Sequence, residues 1–515
     1  MIGYQLSINA VRRGSETALT FGSRRTSYAA LNERTCQLAN ALLKAGLRRT
    51  DRIAVLLYNC DRFFEILFAA AKIGAIFVPI NFRLKAREIA GLFEACTPSL
   101  LLVGSDFDEV LSELASSPAL PARIVPVQEK AEEGQDEYES WLRDHSLAEP
   151  NVIVAAEEPL MLLHSSGTTG LPKGAVFTHS TTLASCTTKI IDFELRPEDK
   201  TVVFGPLFHA GPLMDLALPL LLRGGSVVVG TSRNFDPEML TRTIAAEGGT
   251  VIPVYPTMLR GMLDINFERF DLRKLRLIVT GGEAISHSVL LEVQSKLPWV
   301  EIINNYGSTE GGPITTFLAS DQKEERPGSV GRPAFSVEIR IADEDGNEVE
   351  TGAVGELLVR SPFVCRGYWR RPELTAAALK NGWWYTGDLA KRDEEGYLWI
   401  VGRRRDMIRS AGENIYPIDV EKVIRELEGV EDVAVVGVPD DYWGEAVAAF
   451  VVRKRGSLID ETSIISHCQR ELAGFKKPRI VRFVPCLPRT TVNKVSKDEL
   501  RKIFLEEHRR DAASE

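Results

Sequence analysis

A segment rich in glycine and hydroxyl side chains, residues 163–174, has the composition of a phosphate-binding loop. It reads Leu-His-Ser-Ser-Gly-Thr-Thr-Gly-Leu-Pro-Lys-Gly and lies between two apolar runs. Its glycines let backbone amides turn toward an anion, and its hydroxyls and lysine add donors and positive charge. The residues that we expect to bind a triphosphate are Ser165, Ser166, Gly167, Thr168, Thr169, Gly170 and Lys173. The segment is not a Walker A loop, because glycine follows its lysine where Ser or Thr is needed. The alternative is a surface loop of turn-forming residues.

Five further segments follow this loop, and all six resemble, in order, the core motifs of the adenylate-forming superfamily. That superfamily includes acyl-CoA synthetases, adenylation domains and luciferases. The further segments are Tyr306–Glu310, Tyr385–Asp388, Gly402–Asp406, Ser410–Pro417 and Asn493–Val495. With matching strand and helix patterns on both flanks, the resemblance covers almost the whole chain. It implies an AMP-forming acyl-CoA synthetase, a carboxylic acid–CoA ligase that first makes an acyl-adenylate and pyrophosphate, then acyl-CoA and AMP. ATP, Mg²⁺ and coenzyme A are its implied ligands.

The resemblance assigns four catalytic positions, which are Lys494, Glu310, Thr309 and His209. Glu310 and Thr168 are expected to hold Mg²⁺, a hard cation that prefers carboxylate and phosphate oxygens. Thr309 can donate a hydrogen bond to a phosphate oxygen, and His209 matches an aromatic gate between ATP and the acyl pocket. The alternatives are a solvated acid in a glycine-rich turn for Glu310 and a structural histidine for His209.

The other nucleotide- and coenzyme-binding positions follow from the same resemblance. They are Gly281, Gly282, Glu283, Asn305, Tyr306, Gly307, Asp388, Arg403 and Gly412. Tyr306 offers a flat face for adenine, Asp388 accepts the two ribose hydroxyls, and Arg403 supports the ribose from the hinge side. Gly412 belongs to the loop that lines the pantetheine tunnel. The alternatives are a core tyrosine, a Gly-Asp turn and a charged domain edge.

Lys494 is expected to bridge the substrate carboxylate and the α-phosphate during adenylation. By resemblance, it lies on a C-terminal domain that rotates away for thioester formation. Arg405 stands at the expected pivot, where Asp or Lys is usual, so the pivot departs from the family's pattern. Lys497 is the competing lysine, and we expect it at a solvated helix start.

Strand and helix patterns alternate along the first two thirds of the chain and then give way to short strands with glycine turns. The first pattern predicts layered α/β architecture with largely parallel sheets, and the second a small β-rich subdomain. A small α+β domain is expected after the hinge. We therefore predict a large N-terminal AMP-binding domain over residues 1–403 and a mobile lid domain over residues 404–515. The acidic segment Val125–Asn151 is interpreted as a surface excursion.

The composition limits the partners. The 515 residues include 62 Lys and Arg against 71 Asp and Glu, a net charge of −9, whereas a nucleic-acid-binding domain is normally basic. The seven cysteines are scattered without a Cys-x-x-Cys motif, which favours a reducing compartment. We find no signal-peptide or membrane-spanning pattern and expect a cytoplasmic protein. The oligomeric state stays open, a homodimer included.

The segments expected near the acyl pocket, residues 208–214, 254–258 and 312–316, are mainly apolar and small. They offer no Arg or Lys for a second carboxylate, so we expect a monocarboxylic acid. A medium- or long-chain fatty acid is favoured, and an aryl or phenylpropanoid acid is the alternative. Asp215 is a candidate for binding a substrate amine, although its apolar neighbours in sequence leave it open to face solvent.

Coenzyme A is the favoured acyl acceptor, because the Ser410–Pro417 loop resembles that of CoA ligases. The basic cluster Lys476, Lys477 and Arg479 is a candidate contact for its phosphates, and a solvated face is the alternative. Two other functions stay open at this point. One is a stand-alone adenylation enzyme that loads a carrier protein, and the other is a non-catalytic nucleotide- or acyl-binding protein.

Replacing Lys494 tests whether this lysine acts in acyl-adenylate formation and not in thioester formation. We expect Lys494→Ala to slow acyl-adenylate formation by about 10²–10³, because a positive charge is lost where negative charge develops. Thioester formation from supplied acyl-adenylate should stay near the wild-type rate. Single-turnover measurements of both half-reactions check this, with Lys497→Ala as the matched control. Equal loss of both half-reactions, or a larger loss in the control, would contradict the assignment.

Overall fold

The computed structural model of the chain describes residues 1–128, 136–165, 173–282, 285, 287–319, 326, 328–410, 413–440, 442–490 and 494–512. The chain divides into two compact units. Unit 1 comprises Met1–Ile339 and Val359–Tyr385, and unit 2 comprises Arg340–Leu358 and Thr386–Glu515.

Helices and strands alternate along the described residues. The helices are α1 (Ile2–Arg12), α2 (Tyr28–Lys44), α3 (Asp61–Ile73), α4 (Ala86–Cys96), α5 (Asp108–Leu114), α6 (Glu137–Arg143), α7 (His179–Asp192), α8 (Leu218–Arg223), α9 (Pro237–Glu247), α10 (Pro256–Leu263), α11 (His287–Lys296), α12 (Pro372–Ala378), α13 (Pro417–Arg425), α14 (Glu461–Glu471) and α15 (Lys497–Ala512). The strands are β1 (Thr17–Phe21), β2 (Arg24–Ser27), β3 (Arg52–Leu56), β4 (Ile76–Pro79), β5 (Leu100–Gly104), β6 (Ile124–Val127), β7 (Pro159–Ser165), β8 (Lys173–Thr178), β9 (Lys200–Val203), β10 (Ser226–Val229), β11 (Val251–Val254), β12 (Leu277–Gly281), β13 (Glu301–Ser308), β14 (Gly312–Leu318), β15 (Arg332–Pro333), β16 (Glu338–Ala342), β17 (Gly355–Arg360), β18 (Leu379–Lys380), β19 (Trp383–Arg392), β20 (Leu398–Arg403), β21 (Ile408–Ser410), β22 (Glu413–Ile415), β23 (Val430–Asp440), β24 (Gly444–Arg453) and β25 (Ile480–Phe483).

Unit 1 contains two large sheets whose interiors are parallel. The six-stranded sheet has the order β6-β5-β3-β4-β7-β8, and the nine-stranded sheet has the order β15-β14-β13-β12-β11-β9-β10-β1-β2. Antiparallel pairs occur only toward their edges, at β8 in the first sheet and at β2, β14 and β15 in the second. The predicted layered α/β architecture is thus confirmed.

The parallel interiors explain why several strands read as unbroken apolar runs. A strand covered by helices on both faces has no solvent side and so needs no alternation. Strand β5 and the four residues of β4 are buried throughout, and every residue of helix α3 is buried as well. Helix α9 begins at Pro237 and is capped by Asp236, whose side chain accepts a hydrogen bond from the Glu238 amide at 2.9 Å. Among the described residues, no helix is both long and apolar enough to cross a bilayer.

The later strands form smaller sheets. Strands β16 to β20 make a sheet in the order β16-β17-β19-β18, with β20 paired to β19, in agreement with the predicted β-rich subdomain. In unit 2, β22-β21-β24-β23 form a further sheet, and β25 pairs with β24. Helices α13 and α14 pack against this last sheet through Val420, Ile424 and Ile464. These are the strands and helices expected of the small α+β domain, and the domain boundary after residue 403 stays a prediction.

The interpretation of Val125–Asn151 as a surface excursion is wrong for strand β6 and helix α6. Strand β6 pairs in parallel with β5 at the edge of the six-stranded sheet, and helix α6 buries Tyr138 completely. Burial raises the pKa of Tyr138 well above its ordinary value. Its hydroxyl therefore stays protonated and donates a hydrogen bond to Glu65 at 2.9 Å.

A buried ionic network anchors helix α6 on helix α3. Arg62 pairs with Asp136, both side chains being only 6% exposed, and with Glu139 at 3.1 Å. Arg34 contacts Glu139 and Glu65, each at 2.6 Å. Each buried charge has an opposite partner, because an unpaired one would carry a large desolvation cost.

We expect Arg62→Met to destabilise unit 1 by about 3–5 kcal/mol, because the change keeps the apolar stem but leaves two carboxylates without this partner. Arg242→Met removes an exposed pair with Glu238 and should cost less than about 1 kcal/mol. Guanidinium denaturation of both variants measures the difference. Equal shifts in the denaturation midpoint would show that the network adds nothing beyond a surface pair.

Candidate active site

The predicted phosphate-binding loop is the connection of a β-hairpin. Strands β7 and β8 pair antiparallel, and Ser165 at the end of β7 stands opposite Lys173 at the start of β8. Ser166, Gly167, Thr168, Thr169 and Gly170 lie outside the described residues, as do Glu283 and Gly412.

The nine-stranded sheet brings the other predicted positions of unit 1 to one edge. Strands β13, β12, β11 and β9 are neighbours and run parallel. Glu310 follows β13, Gly282 follows β12, and His209 lies six residues beyond β9. The carboxyl ends of parallel strands meet at the same edge, which is where open α/β sheets bind ligands.

A tyrosine that no motif had indicated joins two predicted site residues. The Tyr368 hydroxyl donates a hydrogen bond to Glu310 Oε1 at 3.0 Å, and Lys173 Nζ lies 5.5 Å from the centre of the Tyr368 ring. Burial and the Glu310 charge raise the pKa of Tyr368 above its ordinary value, so its hydroxyl stays a donor. The Tyr368 side chain thus contacts the predicted magnesium-binding carboxylate through its hydroxyl and the predicted phosphate-binding lysine through its ring.

The turn that carries Glu310 and Thr309 is held by close backbone contacts. A side-chain Cβ at Gly307 would lie 2.3 Å from the Pro313 carbonyl oxygen, so only glycine fits the bulge that β13 forms there. The Gly311 amide donates a hydrogen bond to Ser308 Oγ at 2.9 Å. Glu310 is therefore presented by a tight turn, which suits a ligand that must keep its direction.

The predicted adenine wall is a place of close approach between strands. Gly281 and Asn305 are register partners in β12 and β13, and a Cβ at Gly281 would lie 1.6 Å from Asn305 Oδ1. Gly282 has φ +82°, and a Cβ there would lie 3.4 Å from the Tyr255 ring. Tyr306 is half-buried on β13. The two glycines thus leave a thin wall next to Tyr255.

His209 lies in a turn that a buried asparagine holds. The Asn59 side chain donates to the Gly205 carbonyl at 2.8 Å and accepts from the Leu207 amide at 2.9 Å. The rings of Phe208 and His209 are 4.2 Å apart between centroids. The half-buried position of His209 is compatible with a gate, and Asn59 fixes the backbone leading to it.

In unit 2, the predicted ribose-binding carboxylate is already paired. Asp388 and Arg403 are register partners in β19 and β20, and Arg403 Nε lies 3.3 Å from Asp388 Oδ1. The Asp388 amide donates to Thr386 Oγ1 at 3.0 Å. Asp388 is 8% exposed, so its carboxylate has few orientations open to it.

The two candidate lysines of unit 2 have different surroundings. The side chain of Lys494 is exposed, and its backbone is tied to Thr490 by hydrogen bonds of 2.7 Å and 3.2 Å. Lys497 begins helix α15 and forms an ion pair of 2.7 Å with Glu421. The ion pair of Lys497 lies within unit 2, and the exposed side chain of Lys494 is compatible with the role predicted for it.

The hinge and the basic cluster are also held by contacts within unit 2. Arg404 pairs with Glu356 at 2.9 Å, and Arg405 lies 3.9 Å from Asp498. In the basic cluster, Lys476 pairs with Asp419 at 2.7 Å. These basic side chains therefore pair with carboxylates of unit 2, so that not all of their charge is available to a ligand.

Comparison with known proteins identifies the family of this chain. The model of the AMP-binding enzyme family matches residues 6–369, and that of the AMP-binding enzyme C-terminal domain matches residues 419–494. The chain belongs to the AMP-binding enzyme family. The prediction of an AMP-forming acid–thiol ligase in the adenylate-forming superfamily is therefore confirmed.

Several curated relatives of this AMP-binding enzyme match over nearly their whole length. A feruloyl-CoA synthase of Amycolatopsis sp is 36% identical over 95% of this chain and 96% of its own. An indoleacetate–CoA ligase of Aromatoleum aromaticum is 36% identical over 95% of both chains. A long-chain-fatty-acid–CoA ligase of Mycobacterium tuberculosis is 31% identical over 93% of both chains.

Solved structures match the AMP-binding enzyme equally widely. ATP-bound MatB from Rhodopseudomonas palustris has a TM-score of 0.88 at 28% identity, over 98% of this chain and 99% of its own. The anthranilate CoA ligase AuaEII in complex with anthranoyl-AMP has a TM-score of 0.86 at 26% identity, over 98% and 96% of the two chains.

Sequence reasoning missed Tyr368 and Asn59, and it included Tyr255 only as part of the segment 254–258 expected near the acyl pocket. Each of the three acts through a contact with a residue far away in the chain, and none stands in a recognised motif. Tyr368 also forms an isolated bridge with Ala175 of β8, a pairing that only the structure shows.

We expect Tyr368→Phe to raise the Mg²⁺ concentration for half-maximal pyrophosphate release by about 10–100-fold, the usual effect of losing a partner that orients a metal ligand. The ring that faces Lys173 is kept. Trp384→Phe changes the neighbouring ring, 5.6 Å away, without touching the Glu310 hydrogen bond and serves as control. An unchanged Mg²⁺ dependence in Tyr368→Phe would argue against magnesium at Glu310.

Proposed function

We propose that the protein is a carboxylic acid–CoA ligase that makes an acyl-adenylate and then an acyl-CoA. The observation that carries this proposal is the contact group of Lys173, Tyr368 and Glu310 beside the predicted triphosphate loop. Tyr368 holds a cationic side chain, Lys173, next to a carboxylate, Glu310. Such a pair suits a triphosphate with its magnesium ion, because the cation attracts phosphate and the carboxylate oxygen is a ligand that magnesium prefers.

The first step joins two anions, so the protein must offset their charge. Lys173 and the amides of residues 165–170 would hold the β- and γ-phosphates, and Thr309 would donate to the α-phosphate. Glu310, with Thr168, would hold Mg²⁺, which when bound neutralises phosphate charge. Lys494 would bridge the attacking carboxylate and the α-phosphate. The adenine would lie between Tyr306 and the wall that begins at Gly281.

In the second step, the coenzyme A thiol would attack the acyl-adenylate after Lys494 has left. The ribose stays held through Asp388, whose carboxylate Arg403 orients, and Gly412 would line the path of the pantetheine arm. His209 would separate the acyl pocket from the nucleotide. Lys477 and Arg479 are the candidates to meet the phosphates of coenzyme A.

For the acid, we propose an aryl-substituted monocarboxylate. The relatives named for ferulate and indoleacetate are 36% identical, against 31% for the fatty-acid relative. Aromatic rings also gather next to His209, since Phe208 and Phe82 are 4.9 Å apart between centroids. Phe82 in turn lies 4.7 Å from Tyr58. Such edge and tilted contacts favour a flat ring over a flexible chain.

The medium- or long-chain fatty acid that the sequence favoured is the second candidate. It is supported by the ligase of Mycobacterium tuberculosis described above and by the mainly apolar segment around His209. The cytoplasmic location and the homodimer stay predictions.

Pyrophosphate release across ferulate, indole-3-acetate, decanoate and hexadecanoate tests the proposal. We expect turnover with at least one aryl acid to exceed that with the alkanoates by more than about tenfold in kcat/KM, the discrimination that a fitted pocket gives. AMP release should become multiple-turnover only when coenzyme A is added. Higher kcat/KM for the alkanoates would favour the fatty-acid candidate.

Other outcomes would point to different functions. Single-turnover adenylate formation that coenzyme A does not accelerate would favour transfer to a carrier protein. No pyrophosphate release with any acid would favour a non-catalytic binding protein.

A further inference from the structure

A buried carboxylate lies close to the predicted acyl pocket, and the proposed chemistry does not use it. Asp215 stands in the π-helical turn Pro212–Ala217, which follows His209 and is buried throughout. Turns of this kind are rare and often occur at functional sites. Asp215 is 9% exposed, so the expectation that it could face solvent is wrong.

Asp215 and Tyr255 both approach Gly211, two residues after His209. A Cβ built on Gly211 would lie 3.4 Å from Asp215 Oδ2 and 3.6 Å from the Tyr255 hydroxyl oxygen. The same tyrosine ring borders Gly282 at the predicted adenine wall. Tyr255 therefore links the surroundings of Asp215 to that wall.

One oxygen of the Asp215 carboxylate lacks a hydrogen bond. Within the described part of the chain, Asp215 Oδ1 is buried without a hydrogen-bond partner, although buried polar atoms are almost always bonded. Burial raises the pKa of Asp215 to about 7, and the charge of Lys189 and the nearby Asn305 amide oppose this rise. That amide does not satisfy Oδ1, since among the described residues the Asn305 side-chain nitrogen is itself buried without a hydrogen-bond partner. Lys189 is itself buried and donates to Ser185 Oγ at 2.6 Å.

Such an acceptor discriminates between substrates. An alkyl chain or bare ring beside Oδ1 would leave the carboxylate unsatisfied, whereas a hydroxyl or ring N–H would restore its missing bond. Sites built around a polar group reject analogues that lack the matching donor much more strongly than apolar pockets reject a change in size.

We propose that Asp215 is a specificity-determining residue that accepts a hydrogen bond from a donor on the body of the acid, with Tyr255 beside it. The substrate class is then an aryl monocarboxylate with a phenolic hydroxyl or a ring N–H. This inference rests on the proposed ligase function and narrows its acid.

Matched acid pairs test the proposal. The wild-type enzyme is compared on 4-hydroxycinnamate against cinnamate and on indole-3-acetate against 1-methylindole-3-acetate, by kcat/KM of pyrophosphate release with coenzyme A. At pH 8, above the Asp215 pKa of about 7, the carboxylate is mainly charged. We expect the donor-bearing acid of at least one pair to be favoured there by about 10–100-fold, the usual effect of a hydrogen bond to a charged group. Ratios near one in both pairs would overturn the proposal.

Variants then assign the preference to Asp215. In Asp215→Leu, the favoured ratio should fall to about one or reverse, because the acceptor is removed and the bare ring no longer meets an unsatisfied group. The kcat/KM for the acid without the donor should be kept or rise. Asp264→Asn, at an exposed position after α10, is the control and should keep the wild-type ratio.

If Asp215→Leu does not fold, Asp215→Asn takes its place in the test of the donor preference, since this variant conserves the shape of the side chain and removes its charge. Its ratio should fall by at least about threefold, because a neutral acceptor is weaker than a charged one. A wild-type ratio in any folded variant would overturn the proposal. Activity on cinnamate or decanoate without any donor preference would leave the ligase intact and reject only Asp215, whereas no activity on any acid would reject the ligase itself.

Discussion

Electrostatic repulsion between two anions is the constraint around which this protein is arranged. A carboxylate and a triphosphate must come together on a chain whose net charge is −9. Positive charge is therefore placed locally and held in position. Lys173 lies against the Tyr368 ring, and Arg403 lies against Asp388. Fixed dipoles and charges of this kind need little reorganisation when the reaction begins.

The parallel strands of the nine-stranded sheet place the other predicted site residues of unit 1. Because these strands end at the same edge, the turns at positions 209, 282 and 310 come to that edge from distant parts of the sequence. Most of the architecture could be predicted from local patterns, since the alternation of strands and helices and the later short strands are visible in the sequence. The start of α9 also has local signals, with Asp236 as its N-cap and Pro237 at its first position. Apolar runs and capping residues are local signals, so a single sequence contains them.

What could not be predicted depends on contacts between distant parts of the chain. Tyr368 has no motif of its own, and its role arises only where it meets Glu310. The sequence did not decide whether Asp215 faces solvent, because leucines on either side indicate nothing about which face of a π-helical turn is covered. The acidic segment around Tyr138 was misinterpreted for a related reason. Asp136 is buried in a pair with Arg62, Glu139 pairs with Arg34 and Arg62, and composition does not show which charges pair.

The contact between Gly281 and Asn305 has a consequence for how this enzyme can change over time. With only 1.6 Å between Asn305 Oδ1 and the place where a Cβ would stand, no side chain can appear at residue 281 while the asparagine remains. A Cβ at residue 281 would also lie 2.6 Å from the backbone carbonyl oxygen of residue 305, which every residue there retains. Residue 281 is therefore restricted to glycine whichever side chain occupies residue 305, and any variant that keeps this strand pairing must keep that glycine.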